Sequence, residues 1–257
     1  MTATTDTSTD AATGTTWTPF SFIVTNLARF VRPQEVTFSG VNSTLPMLAC
    51  LLAKRAYEFD FTYLNVAGGV DPTPSSVPLS SSDPVLAEGT ASIFANEDFY
   101  DLCCRGRMDL CFLGAAQIDG AGDTNVSAIG DWHRPKVRLP GGGGGAVMLP
   151  TARRSCTWRT EHSPRTLVDT LDFTTASGGM HGVVTSIAVF VHDGQRLRLR
   201  SWHPDVDLAE VRERTGFELV TEDGAGPSAP PSTAEAAALA GLDPTGSFEA
   251  DARVALR

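Results

Sequence analysis

A run of glycines is the segment of this 257-residue chain whose composition points most directly to chemistry. It covers residues 141–145, follows Lys136 and Arg138, and precedes an apolar segment. Glycine has no Cβ, so backbone N–H groups there can closely approach a phosphate, a thioester carbonyl or an oxyanion. The alternative is a flexible connection, and no Lys-Ser or Lys-Thr pair follows to make a P-loop. The candidate substrate-binding residues are Gly142, Gly143, Gly144 and Gly145.

A second candidate segment follows an apolar stretch, residues 109–113, that is typical of a buried strand. Ligands of open α/β sheets bind at the carboxyl ends of strands. Gln117 could donate a hydrogen bond through its amide, and Asp119 could orient the turn that leads to Asn125. A purely structural turn held by Asx hydrogen bonds is the alternative. The substrate-binding candidates here are Gly114, Gln117, Asp119 and Asn125.

Composition and charge exclude several classes of function. The 20 basic and 30 acidic residues give a net charge of −10, which repels phosphate backbones and anionic lipid and excludes nonspecific nucleic-acid binding. No apolar run approaches the roughly 20 residues that span a bilayer, so we expect no membrane association. The 5 cysteines lack CxxC spacing and the first residues lack a signal pattern, which indicates reduced thiols and a cytoplasmic protein. The 5 histidines form no i,i+4 pair, so we predict no metal site.

The first half of the chain has the pattern of a parallel α/β unit. Residues 36–39 predict a strand, residues 45–57 a helix and residues 61–66 a second strand. This order predicts a right-handed crossover between parallel strands. Residues 68–88 are rich in Gly, Pro and Ser, and a loop of that length in a compact domain is usually functional or disordered.

Later segments predict three more strands and a capped helix. Residues 155–159, 183–192 and 196–202 have strand patterns, and the last two are predicted to pair as a hairpin through Asp193 and Gly194. Asp207 is the predicted N-cap of a helix, with Glu210 completing a capping box and Gly216 ending the helix in the left-handed conformation.

These patterns predict one mostly parallel α/β domain with flanking segments. We expect a disordered Thr- and Ser-rich tail over residues 1–18 and the α/β domain over residues 19–220. Residues 221–234 have the composition of a flexible linker, and residues 235–257 are predicted to form a C-terminal helix and tail.

Four sequence blocks resemble the β subunit of family I CoA-transferases, the glutaconate CoA-transferase type. The string GAAQIDGAGDTNVSAIGDWHRPKVRLPGGGGGAVML begins at Gly114, and LAKRAYEFDF, SWHPDVDLAEVRERTGFEL and GLDPTGSF agree in order over roughly residues 36–250. The resemblance implies a three-layer, open, mostly parallel α/β sheet of the CoA-transferase (NagB/RpiA-like) type. It also implies an acyl-CoA thioester as substrate, no permanently bound cofactor, and a CoA-transferase α subunit as partner in an α2β2 assembly.

The resemblance also implies a catalytic glutamate that this chain lacks. In the glutaconate type the glutamate ends the second strand, within Val-Glu-Ser-Gly, and attacks the thioester. Residues 64–68 read LNVAG and place Val66 at the glutamate position, so we predict no catalytic residue from this chain. Shifting the alignment by one residue places Asn65 or Ala67 there, and neither is a nucleophile. The carboxylates of the long loop, which the sequence does not place at the site, are Asp71, Asp83 and Glu88.

Three functions remain open after the resemblance. The first is a hydrolase like the steroid-ring-opening CoA hydrolase branch, with the catalytic carboxylate on the α subunit. The second is a CoA-transferase that uses another carboxylate. The third is a non-catalytic scaffold subunit.

Overall fold

A computed structural model describes residues 17–250 of the chain. The tail predicted over residues 1–18 therefore lies almost entirely outside the described residues. Its last two residues are part of the fold. Trp17 is buried with its ring 5.5 Å from that of Phe22, and the Thr18 hydroxyl accepts the N–H of Ser21 at 3.1 Å as an N-cap. Residues 17 and 18 therefore pack with the α/β domain, which was predicted to begin at residue 19.

The described residues form six α-helices, one 3₁₀-helix and fifteen strands. The helices are α1 Pro19–Ala28, α2 Thr44–Ala56, α3 Asn96–Cys104, α4 Gly145–Thr151, α5 Leu208–Glu213 and α6 Thr233–Leu242, and the 3₁₀-helix is Pro84–Ala87. The strands of the first half are β1 Val36–Ser39, β2 Thr62–Asn65, β3 Gly69–Val70, β4 Ser92–Ile93, β5 Leu110–Gly114, β6 Gln117–Asp119, β7 Thr124–Asn125 and β8 Ala128–Ile129. The remaining strands are β9 Val137–Arg138, β10 Arg154–Trp158, β11 Leu167–Val168, β12 Met180–Val184, β13 Ala188–His192, β14 Leu197–Trp202 and β15 Thr221–Pro227.

A ten-stranded sheet in the order β15-β14-β13-β12-β10-β5-β1-β2-β3-β4 forms the centre of the fold. Its middle strands β12, β10, β5, β1 and β2 are parallel, and the parallel pairing predicted for β1 and β2, which α2 connects, is confirmed. The strands β6, β7 and β11 form a second sheet, and β8 pairs with β9.

Two apolar cores cover the two faces of the central sheet. Helices α1 and α2 contribute Phe22, Leu27, Met47 and Leu52 to one core, which Leu242 of α6 also joins. Helices α3 and α4 contribute Phe99 and Leu149 to the other core. The predicted three-layer, mostly parallel α/β fold is therefore confirmed. Over residues 17–250, no helix is both long and apolar enough to cross a membrane.

The single strand predicted over residues 183–192 is wrong, because the chain reverses direction within it. The antiparallel strands β12 and β13 meet at a turn in which the N–H of Thr185 donates to the carbonyl of Ala188 at 2.8 Å. The Thr185 hydroxyl also accepts the N–H of Ala188 at 3.0 Å, which fixes the turn without Gly or Pro. The hairpin predicted through Asp193 and Gly194 is confirmed, with Gly194 at φ 98°.

The α5 helix begins as predicted and ends differently. The Asp207 side chain accepts the N–H of Glu210 at 2.7 Å and caps the helix. The Glu210 carboxylate does not complete a capping box, because it pairs with Arg214 at 3.0 Å. Gly216 is not in the left-handed region. It is needed for close packing, since an added Cβ would lie 2.3 Å from the carbonyl oxygen of Leu167.

The expected flexible linker over residues 221–234 carries regular structure. Strand β15 pairs in parallel with β14, and α6 then packs against α2. The polar, Gly-rich composition of this segment is typical of a linker. The segment nevertheless forms β15, because the backbone of this edge strand pairs with β14 independently of its side chains. Ser232 caps α6 by accepting the N–H of Glu235 at 3.1 Å. The C-terminal segment is thus integral to the core, and Phe248 is buried within it.

Candidate functional site

The carboxyl ends of five parallel strands lie along one edge of the sheet. In register, Ser39 of β1 lies opposite Asn65 of β2 and Phe112 of β5, and Trp158 of β10 lies opposite Gly114 and Val184. The residues that leave the strands at this edge are Val66, Gly40, Ala115, Arg159 and Thr185. This carboxyl edge is where open α/β sheets bind their ligands.

Val66 occupies a tight turn at the end of β2. The side chain of Asn65 is fully buried and accepts the N–H of Ala67 at 3.0 Å, while its amide donates to the carbonyl of Leu86 at 3.0 Å. Gly68 takes φ 92° to close the turn. Asn65 is thus committed to the backbone, whereas Val66 is half-buried and packs against the core on the α3–α4 face.

The loop carboxylates considered as substitutes for a nucleophile are committed elsewhere. Asp71 pairs with Lys54 at 2.7 Å and accepts the N–H of Tyr63 at 2.8 Å. Asp83 caps the 3₁₀-helix by accepting the N–H of Val85 at 2.9 Å. The Glu88 carboxylate accepts a hydrogen bond from the Ser75 hydroxyl at 2.7 Å, and hydrogen bonding by Ser75 lowers the pKa of Glu88. Each carboxylate therefore has a local structural partner.

The glycine run leads directly into α4. Gly143 lies in the left-handed region at φ 47°, and α4 begins at Gly145. An added Cβ on Gly144 would lie 2.6 Å from the Tyr100 hydroxyl, and one on Gly142 would lie 2.9 Å from the Thr175 methyl group. Gly143 and Gly145 have no atom within 4 Å of the equivalent position. Two of the glycines thus permit packing, and two face open space.

The N–H groups of the run are available to a ligand. Within residues 17–250, those of Gly142, Gly143 and Gly144 donate no hydrogen bond. Lys136 and Arg138, shortly before the run, form no ion pair with a described carboxylate. Donor groups and positive charge therefore occur together, which suits a bound carbonyl oxygen or anion.

Arg138 also belongs to a stack that the sequence patterns did not reveal. Its guanidinium lies 4.4 Å from the centre of the Trp132 ring, which stacks at 4.3 Å on the ring of Phe173. Trp132 follows β8. The only sign of this stack in the sequence is a single aromatic residue close to basic residues. The stack fixes the β8–β9 hairpin next to the glycine run.

Asn125 and Gln117 support the site from within. Asn125 accepts the N–H of Ser127 at 2.9 Å and donates to Gln117 at 2.7 Å, and Gln117 donates to Asp172 at 2.9 Å. The carbonyl of Val126 in turn accepts the N–H of Gly141 at 2.8 Å. Asn125 is fully buried and Gln117 is 6% exposed, so their amides hold the base of the glycine run.

Asp119 lies away from the other candidates. Its carboxylate accepts the N–H groups of Ala121 and Asp123 at 3.0 Å each, as the Asx-turn alternative predicted. The adjacent Gly120 accepts the N–H of Leu197, at the start of β14. An added Cβ on Gly122 would meet Met180, the first residue of β12. Strand β6 thus carries the chain back to the amino edge of the sheet, whereas Gly114 remains exposed at the carboxyl edge.

Burial raises the pKa of Asp119, and the hydrogen bonds from the turn oppose this shift. Burial, followed by the charge of Asp119, also raises the pKa of Asp123. The two carboxylates are therefore part of a structural turn whose charge is partly desolvated.

Arg159 is a further residue of the carboxyl edge that was not among the sequence candidates. It follows β10 directly, and its N–H donates to the carbonyl of Val184 at 2.9 Å. The rule that selects Gly114, a position at the end of a buried strand, applies equally to Arg159. The sequence predicted a strand over residues 155–159 and so placed Arg159 inside it. The observed strand ends one residue earlier, and Arg159 lies just beyond that end.

Comparison with known proteins identifies the family. The family described as Coenzyme A transferase matches residues 23–214. The β subunit of 3-oxoadipate CoA-transferase from Pseudomonas knackmussii is 30% identical over 84% of this chain and 89% of the relative. The β subunit of glutaconate CoA-transferase from Acidaminococcus fermentans is 27% identical over 75% and 80%. The IpdB subunit of the cholesterol ring-cleaving hydrolase from Rhodococcus jostii is 27% identical over 60% and 72%.

Solved structures agree with the sequence relatives. One chain of the decarboxylase AibA/AibB superposes with a TM-score of 0.84 at 31% identity, covering 91% of this chain and 98% of that chain. The resemblance to family I CoA-transferase β subunits is confirmed. The chain belongs to the coenzyme A transferase family and is the β subunit of an enzyme that acts on CoA esters.

Proposed function

We propose that this β subunit joins an α subunit to form a hydrolase that opens a carbon–carbon bond of an acyl-CoA ester. Val66 carries the proposal, since the sequence resemblance aligns this aliphatic side chain with the nucleophile of the glutaconate type. The carboxylates of the neighbouring loop have other partners, so the catalytic carboxylate is assigned to the α subunit. The 27% identity to the IpdB subunit of a ring-cleaving hydrolase supports the same reaction class.

The proposed reaction needs a base and an oxyanion site, but no nucleophile from this chain. The α-subunit carboxylate takes a proton from water, whose oxygen bonds to a ring carbonyl carbon of a cyclic β-diketone-like CoA ester. The adjacent carbon–carbon bond then breaks, its electrons pass to the carbon next to the thioester, and that carbon is protonated. The product is a ring-opened carboxylate that retains its CoA thioester.

The free N–H groups of Gly142, Gly143 and Gly144 are suited to stabilise the negative charge on oxygen. Gly114, exposed at the same edge with no atom within 4 Å of an added Cβ, leaves room for the substrate. Gln117 and Asn125 would contribute by holding the base of the glycine run, whereas Asp119 holds a turn at the amino edge. We further propose that CoA enters as a substrate and that no cofactor is resident.

Exposed apolar side chains along the carboxyl edge support the need for a partner chain. Val41 is 70% exposed after β1, Ile93 is 69% exposed beside the Val66 turn, and Trp132 is 42% exposed beside the glycine run. Exposed apolar side chains beside a site are positions that the surface of a partner subunit can cover. An α2β2 assembly in the cytoplasm is the arrangement that we propose.

CoA transfer is the second candidate, favoured by the 30% identity to the β subunit of a 3-oxoadipate CoA-transferase. The test is co-expression with the α-like chain and mass spectrometry of a panel of CoA esters, in ¹⁸O-water, with and without carboxylate acceptors. Hydrolysis incorporates one ¹⁸O into the new carboxylate and needs no acceptor. A hydroxylamine-sensitive CoA thioester on this chain, activity of this chain alone, or failure of the pair to bind any CoA ester would each overturn the proposal.

A further inference from the structure

A cluster of basic side chains lies at the amino edge of the central sheet, opposite the carboxyl edge. It comprises Arg32, which follows α1, Arg154 at the start of β10, His181 near the start of β12, and Arg200 of β14. Arg154 precedes Trp158, the last residue of β10, by four residues, which is about 13 Å at about 3.3 Å for each residue. The cluster is therefore separate from the site proposed for acyl-CoA.

The imidazole of His181 lies among cations. Its Nε2 atom is 3.4 Å from the Nη2 atom of Arg32. Burial lowers the pKa of His181 to about 4, and the shift is reinforced by the surrounding positive charges, which belong to Arg154, Arg32, Arg200 and His192. No described carboxylate is among the charges that act on this ring. The imidazole is therefore neutral at pH 7 and can accept the Arg32 N–H.

The cluster holds more positive charge than the described part of the chain neutralises. Arg32 is exposed, and its guanidinium forms no ion pair with a carboxylate in residues 17–250. Arg154 is 8% exposed and pairs with Glu35, yet its Nη1 atom is buried without a hydrogen-bond partner among the described residues. Arg200 pairs with Glu222 at 2.8 Å. Three guanidinium groups thus face two carboxylates, in a chain whose net charge is −10.

This arrangement is unfavourable unless an acceptor from outside the described chain joins it. A buried donor without an acceptor is costly, and like charges close together repel each other. The charge of Arg154 acts on both Arg32 and His181, so the three groups share one local field. An oxyanion between them would accept the guanidinium N–H groups and would let His181 bind a proton and donate as well.

We propose that Arg32, His181 and Arg154 form a binding site for a tetrahedral oxyanion, the phosphate group of a small metabolite. Guanidinium groups bind phosphate oxygens through parallel N–H donors, and several positive neighbours favour a dianion over a monoanion. The ligand binds at the opposite edge of the sheet from the reacting acyl group. The inference does not depend on the proposed function. An acidic side chain of the α subunit is the competing occupant.

The test is calorimetric titration of the co-purified α–β pair with inorganic phosphate and with sulfate, at an ionic strength held constant with chloride. Loss of a charged hydrogen-bonding group predicts that Arg32→Gln weakens the binding of both anions by about 10- to 100-fold. Arg32→Lys should recover part of the loss. The control Arg196→Gln removes a cation at the start of β14 that is already paired with Glu218 at 2.9 Å, and it should leave both affinities unchanged.

A second measurement reports on His181 itself. A bound dianion favours the protonated imidazole, so the affinity for sulfate should increase several-fold as the pH falls from about 7.5 to about 5.5. Sulfate stays a dianion over this range, and arginine side chains do not titrate in it. His181→Asn should remove the increase. His192→Asn is the control for a second imidazole at the same edge and should retain it.

Several outcomes would overturn the assignment. These are no binding of either anion above the chloride reference, equal affinities for the Arg32→Gln and Arg196→Gln pairs, and the same pH dependence in the His181→Asn and unmodified pairs. Failure of Arg32→Gln to co-purify with the α subunit would also overturn it and would identify the cluster as a contact to an acidic residue of that subunit. None of these results bears on the reaction proposed at the carboxyl edge.

Discussion

The side chain of Asn65 accepts the N–H of Ala67 at 3.0 Å. This hydrogen bond stabilises the turn that contains Val66, the residue between them. The same amide reaches the carbonyls of Leu86 and Gly69 at 3.0 Å and 3.2 Å. The turn therefore depends on a buried amide rather than on the side chain that it presents. The side chain at position 66 can therefore vary while the scaffold around it is retained.

We predict that Asn65→Ala destabilises the protein and disorders the Val66 turn. The substitution leaves the N–H groups of Ala67 and Gly69 and the carbonyl of Leu86 without their side-chain partner. Each buried group left unsatisfied costs about 1–3 kcal/mol, so we expect a loss of about 3 kcal/mol in the free energy of unfolding. Urea denaturation at neutral pH measures it.

Thr37→Val is the matched control, because the Thr37 hydroxyl is buried on the adjacent strand and has no hydrogen-bond partner among the described residues. We expect it to be neutral or stabilising. An Asn65→Ala variant as stable as Thr37→Val would show that the amide does not hold the turn.

Val66→Glu tests whether the site retains the geometry of a transferase. If the surroundings of Val66 still match the family arrangement, the new carboxylate can attack the carbonyl carbon of a bound thioester, which releases the CoA thiolate and gives a mixed anhydride. The thiolate then attacks the glutamyl carbonyl, which frees the acyl group as a carboxylate and leaves an enzyme-glutamyl CoA thioester. We expect a hydroxylamine-sensitive CoA adduct on this chain of the α–β pair, measured by intact-protein mass spectrometry. The unmodified pair should form none.

Val66→Gln controls for size and polarity without a nucleophile and should also form no adduct. An adduct on both variants would place the reactive group elsewhere. A well-folded Val66→Glu pair that hydrolyses the substrate normally but never forms an adduct would mean that Val66 lies outside reach of the thioester.

The sequence predicted the frame of the site better than the roles of its polar residues. Local patterns sufficed for β1, α2 and β2, where strand and helix periodicities alternate and the crossover has one favoured hand. They also singled out the glycine run, and the apolar segment that follows it forms α4. They did not separate Asp119 from Gly114, because the chain changes direction between β5 and β6, and only the pairing of β6 with β7 and β11 shows where it goes.

Long-range contacts also decided the other errors. Strand β15 is specified by its pairing with β14 and not by its own composition. Gln117 and Asn125 look like ligands in sequence because their amides are versatile, but these amides satisfy one another in the interior. Arg159 was missed because its place at the carboxyl edge depends on where β10 ends, which no pattern of residue types reveals.

Substitutions of Gly145 test whether acyl-CoA closely approaches the glycine run. An added Cβ there meets no atom within 4 Å and φ is not positive, so Gly145→Ala should fold normally and stabilise α4 by about 0.5–1 kcal/mol. Gly145→Val should fill the open space and weaken acyl-CoA binding by about tenfold for each hydrogen bond of about 1–1.5 kcal/mol that is lost. Calorimetric titration of the α–β pair measures both affinities.

Gly226→Val is the control, because Gly226 has the same open surroundings in β15, at the far edge of the sheet. It should leave acyl-CoA affinity unchanged. Equal affinities for the Gly145→Val and Gly226→Val pairs would exclude close approach of the ligand to the start of α4.

The buried position of His162 predicts that the free energy of unfolding decreases as the pH falls below neutrality. The ring is fully buried, with Nδ1 2.7 Å from the Thr185 hydroxyl and Nε2 3.1 Å from that of Thr215. Burial, followed by the charge of Arg214, lowers the pKa of His162 from 6.5 to about 3. Between these values the unfolded chain binds a proton that the folded chain does not, so stability is full above pH 6.5 and falls below it.

The free energy of unfolding that depends on His162 falls with a slope that approaches about 1.4 kcal/mol for each pH unit. The total loss is about 2 kcal/mol at pH 5. Burial also lowers the pKa of His181 and His203, which adds to the total slope. We expect His162→Gln to be less stable at pH 7.5, since it disturbs both threonine contacts, and to show a shallower loss between pH 7.5 and pH 5 in urea unfolding. A histidine NMR signal assigned to His162 that titrates near pH 6.5 in the folded protein would contradict the prediction, as would an unchanged slope in the variant.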